Sequence, residues 1–304
     1  MQLKSAEQKI EMRFRKILFP VDFSKPCLAA IPCVAEMQQS MDAELVLLHC
    51  IELPDDWPPV DAEHQWVSFD SLRACDYKRL QCFAAEHFKT KVDVIQEAGD
   101  PAAVISRCVR SHGVDLIMMP THGYGLFRRA LLGSVTTKVL HDVRCAVWTS
   151  SHSDAICNSV YRHVLCAVDD PDASGALVRS AAEFAEDFDS RLSIVHAYPD
   201  FTGTPAERYQ RDLPKDIEAG IRRRLDCMQQ LAGTAIPAVI ARGEVHDVVA
   251  ETARRCKADL IIVGRGTYGG FLYSLRSHLF DVIRSAPCPV LVLNETDAQT
   301  PPSE

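Results

Sequence analysis

Short apolar runs closing on small or acidic residues alternate along the chain with longer stretches whose apolar residues return every three or four positions. The first run, Lys16-Ile-Leu-Phe-Pro-Val-Asp22, predicts a buried strand, and Ser24 stands where a helix from Ser24 to Ser40 needs its N-terminal cap. A second strand is expected from Glu44 to Ile51, followed by a proline-rich loop from Leu53-Pro54 to Pro58-Pro59. Leu72, Asp76/Tyr77, Leu80, Phe83/Ala84 and His87/Phe88 then recur at helical spacing with one mostly apolar face. A third strand is predicted near Val92 to Ala98, then a helix opening at Pro101, whose ring suits a first helical turn. Leu116 to Met119 reads as a fourth strand. A glycine-rich loop, a helix from Ser134 and a last strand near Cys145 to Thr149 finish the unit. Strands separated by helices predict an α/β fold with a parallel, doubly wound sheet and helices on both faces.

The unit then repeats. Arg15-Lys-Ile-Leu-Phe-Pro-Val-Asp22 is answered by Arg162-His-Val-Leu-Cys-Ala-Val-Asp169, an offset of 169 − 22 = 147. Glu44 to His49 is answered by Arg191 to His196 at the same offset of 147. Gly99-Asp100 matches Gly243-Glu244, Asp115-Leu-Ile matches Asp259-Leu-Ile, and Tyr124-Gly125 matches Tyr268-Gly269, all at an offset of 144. In the second copy Ile217, Ile221, Leu225, Met228 and Leu231 form one helical stripe, expected to pack into the core. The chain therefore divides into tandem open-sheet domains at 1–150 and 161–294, with a polar linker at 151–160 and a polar tail at 295–304. Residues 1–15, with Ile10, Met12 and Phe14 alternating with charges, lead into the first strand.

Composition narrows the partners. With 304 residues, 47% hydrophobic and 24% charged, each half can bury a full core. The formal charge, 33 − 41 = −8, argues against nucleic acid or an anionic membrane as the main partner. No apolar run approaches the ~20 residues of a bilayer span, and the first residues lack the apolar stretch of a secretory signal, so a cytoplasmic location is expected. The twelve cysteines form no Cys-x-x-Cys and sit mostly in apolar runs, which predicts reduced core thiols and no zinc site.

In such sheets ligands bind beyond the carboxyl ends of the strands. That directs attention to Asp22, Cys50, Gly99 and the loop from Met119 to Val135. Glycines there let backbone approach an anion, and a helix starting at Ser134 points N–H groups and a positive dipole end toward phosphate. Arg128 and Arg129 read as solvated surface charge. An enzyme needs a base, a nucleophile or a metal cage. His122 is the best acid–base candidate, but its counterpart is Gly266, and no Ser-His-Asp spacing, HExxH or phosphate-loop lysine occurs. A receiver-type signalling domain would suit Asp169-Asp170, yet the first copy has Asp22-Phe23, and its third strand ends in Ala98-Gly99 without a phosphoacceptor.

Lys16-Ile-Leu-Phe-Pro-Val-Asp22-Phe-Ser24, and Asp115-Leu-Ile-Met-Met-Pro-Thr-His-Gly123 followed by Leu132-Gly133-Ser134-Val135, resemble the universal stress protein domain. So does Ala286-Pro-Cys-Pro-Val-Leu-Val-Leu293. The resemblance covers both halves and implies a Rossmann-like fold of the adenine nucleotide α-hydrolase type, binding ATP without a dedicated catalytic apparatus. It implies that Asp22, beside Pro20 and Val21, hydrogen-bonds adenine, that the backbone at Cys50 faces the base, and that Met119 lines the pocket. It places Gly123, Gly133, Ser134 and Val135 on ribose and phosphates, with Mg²⁺ or Mn²⁺ held through the phosphates.

The ATP-binding pattern of the family is Gly-x2-Gly-x9-Gly-Ser/Thr. This chain has Pro120-x2-Gly123-x9-Gly133-Ser134, so an N–H is lost at the first position. In the second copy Asp169, Gly264 and Ser277 remain, but Thr267 replaces the middle glycine and Arg276 falls opposite Gly133. Only a weaker second site is expected there, with Arg276 partly in the phosphate slot. The alternative is an interaction protein of the same family that has lost nucleotide binding. The resemblance also implies pairing of last strands, Cys145 to Thr149 with Cys288 to Leu293, within one chain, and a homodimer is open.

Overall fold

A computed structural model describes residues 14–51, 69–122, 132–150, 161–199, 213–265 and 275–294. The first half runs β1 (Lys16–Pro20), α1 (Lys25–Met41), β2 (Glu44–Ile51), α2 (Phe69–His87), β3 (Val92–Ala98), α3 (Pro101–His112), β4 (Leu116–Pro120), α4 (Ser134–Asp142) and β5 (Ala146–Ser150). The second runs β6 (His163–Ala167), α5 (Gly175–Asp187), β7 (Arg191–Tyr198), α6 (Leu213–Ala232), β8 (Ala238–Arg242), α7 (Val245–Cys256), β9 (Leu260–Gly264), α8 (Leu275–Ser285) and β10 (Val290–Leu293). Among the described residues no helix is long and apolar enough to cross a membrane.

Helix ends follow local chemistry. Ser24 Oγ accepts from the Cys27 N–H at 3.3 Å to start α1, and Pro26 occupies its first turn. Asp100 accepts from the Ala103 N–H at 3.0 Å ahead of Pro101, and Gly113, at φ +63°, ends α3 in the left-handed region.

The strands form one ten-stranded sheet in the order β3-β2-β1-β4-β5-β10-β9-β6-β7-β8. Within each half every pairing is parallel, and the halves meet where β5 and β10 run antiparallel, with Leu291 opposite Trp148. The last-strand pairing implied by the family resemblance is thus made within the chain. Alternation along β5 sends Trp148 to one face and Val147 to the other. One face is packed by α1, α2, α5 and α6, the other by α3, α4, α7 and α8, and each apolar layer runs without a break across both halves.

The repeated Asp-Leu-Ile has a structural cause. Asp115 accepts from the Arg15 and Lys16 N–H groups at 2.8 and 3.0 Å. Asp259 does the same for Arg162 and His163 at 2.9 and 3.1 Å. Each aspartate fastens the start of its repeat's first strand to the start of the fourth.

Two expectations need correction. Ile221, Leu225 and Met228 of α6 are buried, but Leu231 is 82% exposed. The inward position of that last turn belongs to buried Gln229, whose side-chain oxygen accepts from the Ile236 N–H, and Gly233, at φ +72°, ends the helix in the left-handed region. Cysteine behaviour is also mixed. Cys27, Cys108, Cys166 and Cys288 are buried free thiols, as expected, whereas Cys75, Cys82 and Cys227 are exposed and Cys33 is disulfide-bonded. Apolar neighbours in sequence do not distinguish a helix's inner face from its outer one.

Candidate functional site

Strand order reverses between β1 and β4, and in open α/β sheets ligands bind at the carboxyl ends of the strands flanking such a reversal. The Val21 N–H donates to Leu48 O at 2.8 Å, prolonging β1 beyond its last ladder pair, Pro20 with Leu48. The same register carried two residues on sets Asp22 alongside Cys50. On the other side, Leu18 pairs with Ile117, which carried on brings Pro20 alongside Met119. Sheet register thus gathers Pro20, Val21, Asp22, Cys50 and Met119 at one edge.

Asp22 is held by a turn. Phe23 takes φ +59°, unusual for a bulky residue, and this lets the Ser24 N–H reach Asp22 Oδ1 at 2.9 Å. The Phe23 ring is fixed by His49 at 4.9 Å, by Phe83 edge-on at 5.5 Å, and by the Arg79 guanidinium 3.9 Å from its centroid. Neither Phe23 nor Arg79 stood out in the sequence, because α2 meets β1 only through the fold. Burial first, and then the nearby Asp22 carboxylate, push the Cys27 thiol up to about 12, which disfavours its thiolate.

His49 Nδ1–H donates to Val21 O at 2.7 Å, and His196 Nδ1–H donates to Val168 O at 2.9 Å. Both histidines tie the second strand of a repeat to the end of the first. Burial lowers the pKa of His196, keeping the ring neutral.

At the end of β4 the loop is closed by its own backbone. The Gly133 N–H donates to Thr121 O at 2.8 Å, and Thr136 Oγ1 donates toward Pro120 O and Thr121 O at 3.2 and 3.3 Å. A Cβ on Gly133 would lie 2.7 Å from Thr121 O, so only glycine fits this approach. Gly133 has extended backbone (φ −60°, ψ 145°) and caps α4 with no side-chain hydrogen bond. The first turn of α4, Ser134 and Val135 included, begins directly beyond that closure. Pro120 contributes its carbonyl to Thr136, and the Thr121 N–H is spent on Ser150 O at 2.9 Å. Gly123, with Arg128 and Arg129, lies outside the described residues. Thr121 and Thr136 complete the closure, and their spacing alone gave no sign of it.

The second half has the same reversal of strand order between β6 and β9, with Ala167 opposite Val263. After Asp169 the turn is different: Arg224 of α6 bridges Asp170 at 2.7 Å and Asp172 at 2.6 Å, and its hydrogen bond lowers the pKa of Asp172. Gly264 ends β9, and the Arg265 N–H donates to Leu293 O at 2.9 Å. Arg276, the counterpart of Gly133, is already inside α8, as is Ser277. The helix start that serves as a glycine cap in α4 is therefore absent at this position. Thr267 and the side chain of Arg276 lie outside the described residues. Among the described residues, no group of three or more His, Cys, Asp or Glu could hold a metal ion.

The fold defines a tandem, doubly wound α/β protein with one strand-order reversal in each half. The model of the universal stress protein family matches residues 13–150 and 160–294, and the chain belongs to that family. A universal stress protein of Thermus aquaticus is 31% identical over 142 residues, covering 44% of this chain and 99% of that protein. Universal stress protein MJ0531 of Methanocaldococcus jannaschii is 27% identical over 149 residues, or 48% of this chain and 86% of its own length. Among solved structures, a universal stress protein from Archaeoglobus fulgidus covers 94% of this chain and 98% of its own, with TM-score 0.66 and 23% identity. A functionally unknown Pseudomonas aeruginosa protein, PA1789, covers 94% of both chains with TM-score 0.64 and 19% identity. These two share the tandem fold.

Proposed function

We propose that the first half binds an adenine nucleotide, ATP, and that the chain acts as a nucleotide-responsive stress or signalling protein. The observation that carries this reading is Gly133, whose missing Cβ lets the start of α4 close within 2.8 Å of the Thr121 carbonyl just beyond β4 while leaving the helix without a side-chain cap. A helix start without a side-chain cap, next to a backbone cradle, suits phosphate. Asp22, with Pro20, Val21 and Cys50, supplies polar and backbone groups for adenine. Met119 lines the pocket, and Gly123, Ser134 and Val135 complete the ribose and phosphate contacts. Mg²⁺ or Mn²⁺ enters with the phosphates. Asp169, Gly264 and Ser277 form at most a weaker second site.

The reading is of a binder, with slow hydrolysis at most, since His49 and His196 spend their Nδ1 protons on strand carbonyls. One observation favours the rival, an interaction protein without nucleotide: neither Pro120 nor the Thr121 N–H can donate to phosphate. Freshly purified protein, denatured and chromatographed for released nucleotide, separates the two. ATP, ADP or AMP near one per chain supports binding. Its absence, with no thermal shift in Mg-ATP, leaves the rival standing.

A further inference from the structure

Arg265 stands one residue beyond β9, where the second repeat would begin its own nucleotide loop, yet its side chain serves the other repeat. Its Nη1 donates to Val143 O, and its Nη2 donates to Cys145 O at 3.4 Å. Val143 is the C-cap of α4, and Cys145 lies between that cap and β5. Thr121, the equivalent residue of the first repeat, bonds within its own half, through its hydroxyl to Ser150 O at 3.0 Å. The exchange of Thr for Arg between equivalent positions thus turns an internal contact into a bridge between halves.

The chemistry suits the place. The carbonyl at a helix C-terminus, here Val143 O, carries partial negative charge, and a guanidinium fork can hold it together with a second carbonyl beyond the helix, here Cys145 O. At nine residues α4 is short, and Gly133, Thr136 and Thr121 fasten its other end. Arg265 therefore fixes one end of the helix whose other end forms the proposed phosphate cradle. We infer that Arg265 is a positioning residue through which the second repeat holds α4 of the first in its nucleotide-accepting place. This rests on the reading of the first half as a nucleotide site, and it gives the degenerate second repeat a task that needs no nucleotide of its own.

The test compares full-length wild type, Arg265→Ala, Arg265→Lys and Arg254→Ala by amide hydrogen exchange and by Mg-ATP titration. Arg254 is the control, since it reaches the end of α8, Ser285 O at 3.5 Å, inside the second half. With Arg265→Ala, exchange at the hydrogen-bonded amides of Gly133 and Thr137 should quicken and the Kd for Mg-ATP should rise about fivefold. Arg265→Lys should fall between, and Arg254→Ala should change neither. Unchanged exchange and affinity in folded Arg265→Ala overturn the inference. If that variant does not fold, Arg265→Lys decides by the same readouts. If wild type takes up no Mg-ATP, the nucleotide reading fails, and unchanged exchange at Gly133 and Thr137 then overturns the positioning role independently.

Discussion

Gly133→Ala probes the loop closure directly. The added Cβ would sit 2.7 Å from Thr121 O, a backbone atom that no rotamer change can move aside. The backbone of Gly133 is extended, so alanine meets no conformational penalty there and the whole cost is the clash. Relief requires α4 and β4 to part, at about 1–3 kcal/mol for overpacking. Loss of the 2.8 Å Gly133–Thr121 hydrogen bond adds about 1 kcal/mol. Urea unfolding should therefore show a loss of about 2–4 kcal/mol, with Mg-ATP affinity falling along with it. Gly113→Ala is the companion: it has open space around it but φ +63°, so its cost is about 1–2 kcal/mol from backbone strain alone, with affinity intact. A Gly133→Ala protein with wild-type stability and wild-type nucleotide affinity would refute the closure.

Other outcomes follow from single features. Gly220→Ala, in the interior of α6 with nothing within 4 Å of the new Cβ, should stabilise the protein by up to about 1 kcal/mol in denaturant titration. His196 has a folded pKa below its unfolded value of 6.5, so protonation favours the unfolded chain. Stability from this group is complete above pH 6.5 and is lost as pH falls toward the lowered folded value. Melting temperature should drop over that window, and less so in His196→Gln. In native protein Cys75, Cys82 and Cys227 should react with a thiol reagent at once. Cys27 and Cys166, both raised to about 12 by burial, should react only on unfolding.

The repeat and the strand–helix alternation were legible because apolar period and capping chemistry are local: Ser24, Asp100 and Pro101 mark their helices without reference to the rest of the chain. Asp22, Cys50 and Met119 could be singled out as strand ends, and parallel register does the gathering. What local pattern could not carry depends on contact between distant segments. Arg79 reaches Phe23 across α2 and β1, Thr136 closes on Pro120, and Arg265 crosses to Val143 in the other repeat. Leu231 misleads for a related reason, since a helical stripe continues in sequence after Gln229 has taken the inward position.

The asymmetry between the halves is tested most directly by calorimetric titration of Mg-ATP into nucleotide-free full-length protein, alongside Asp22→Ala and Asp169→Ala. A stoichiometry of one, abolished by Asp22→Ala and kept by Asp169→Ala, is expected. A stoichiometry of two, or binding that survives Asp22→Ala and disappears with Asp169→Ala, would contradict it.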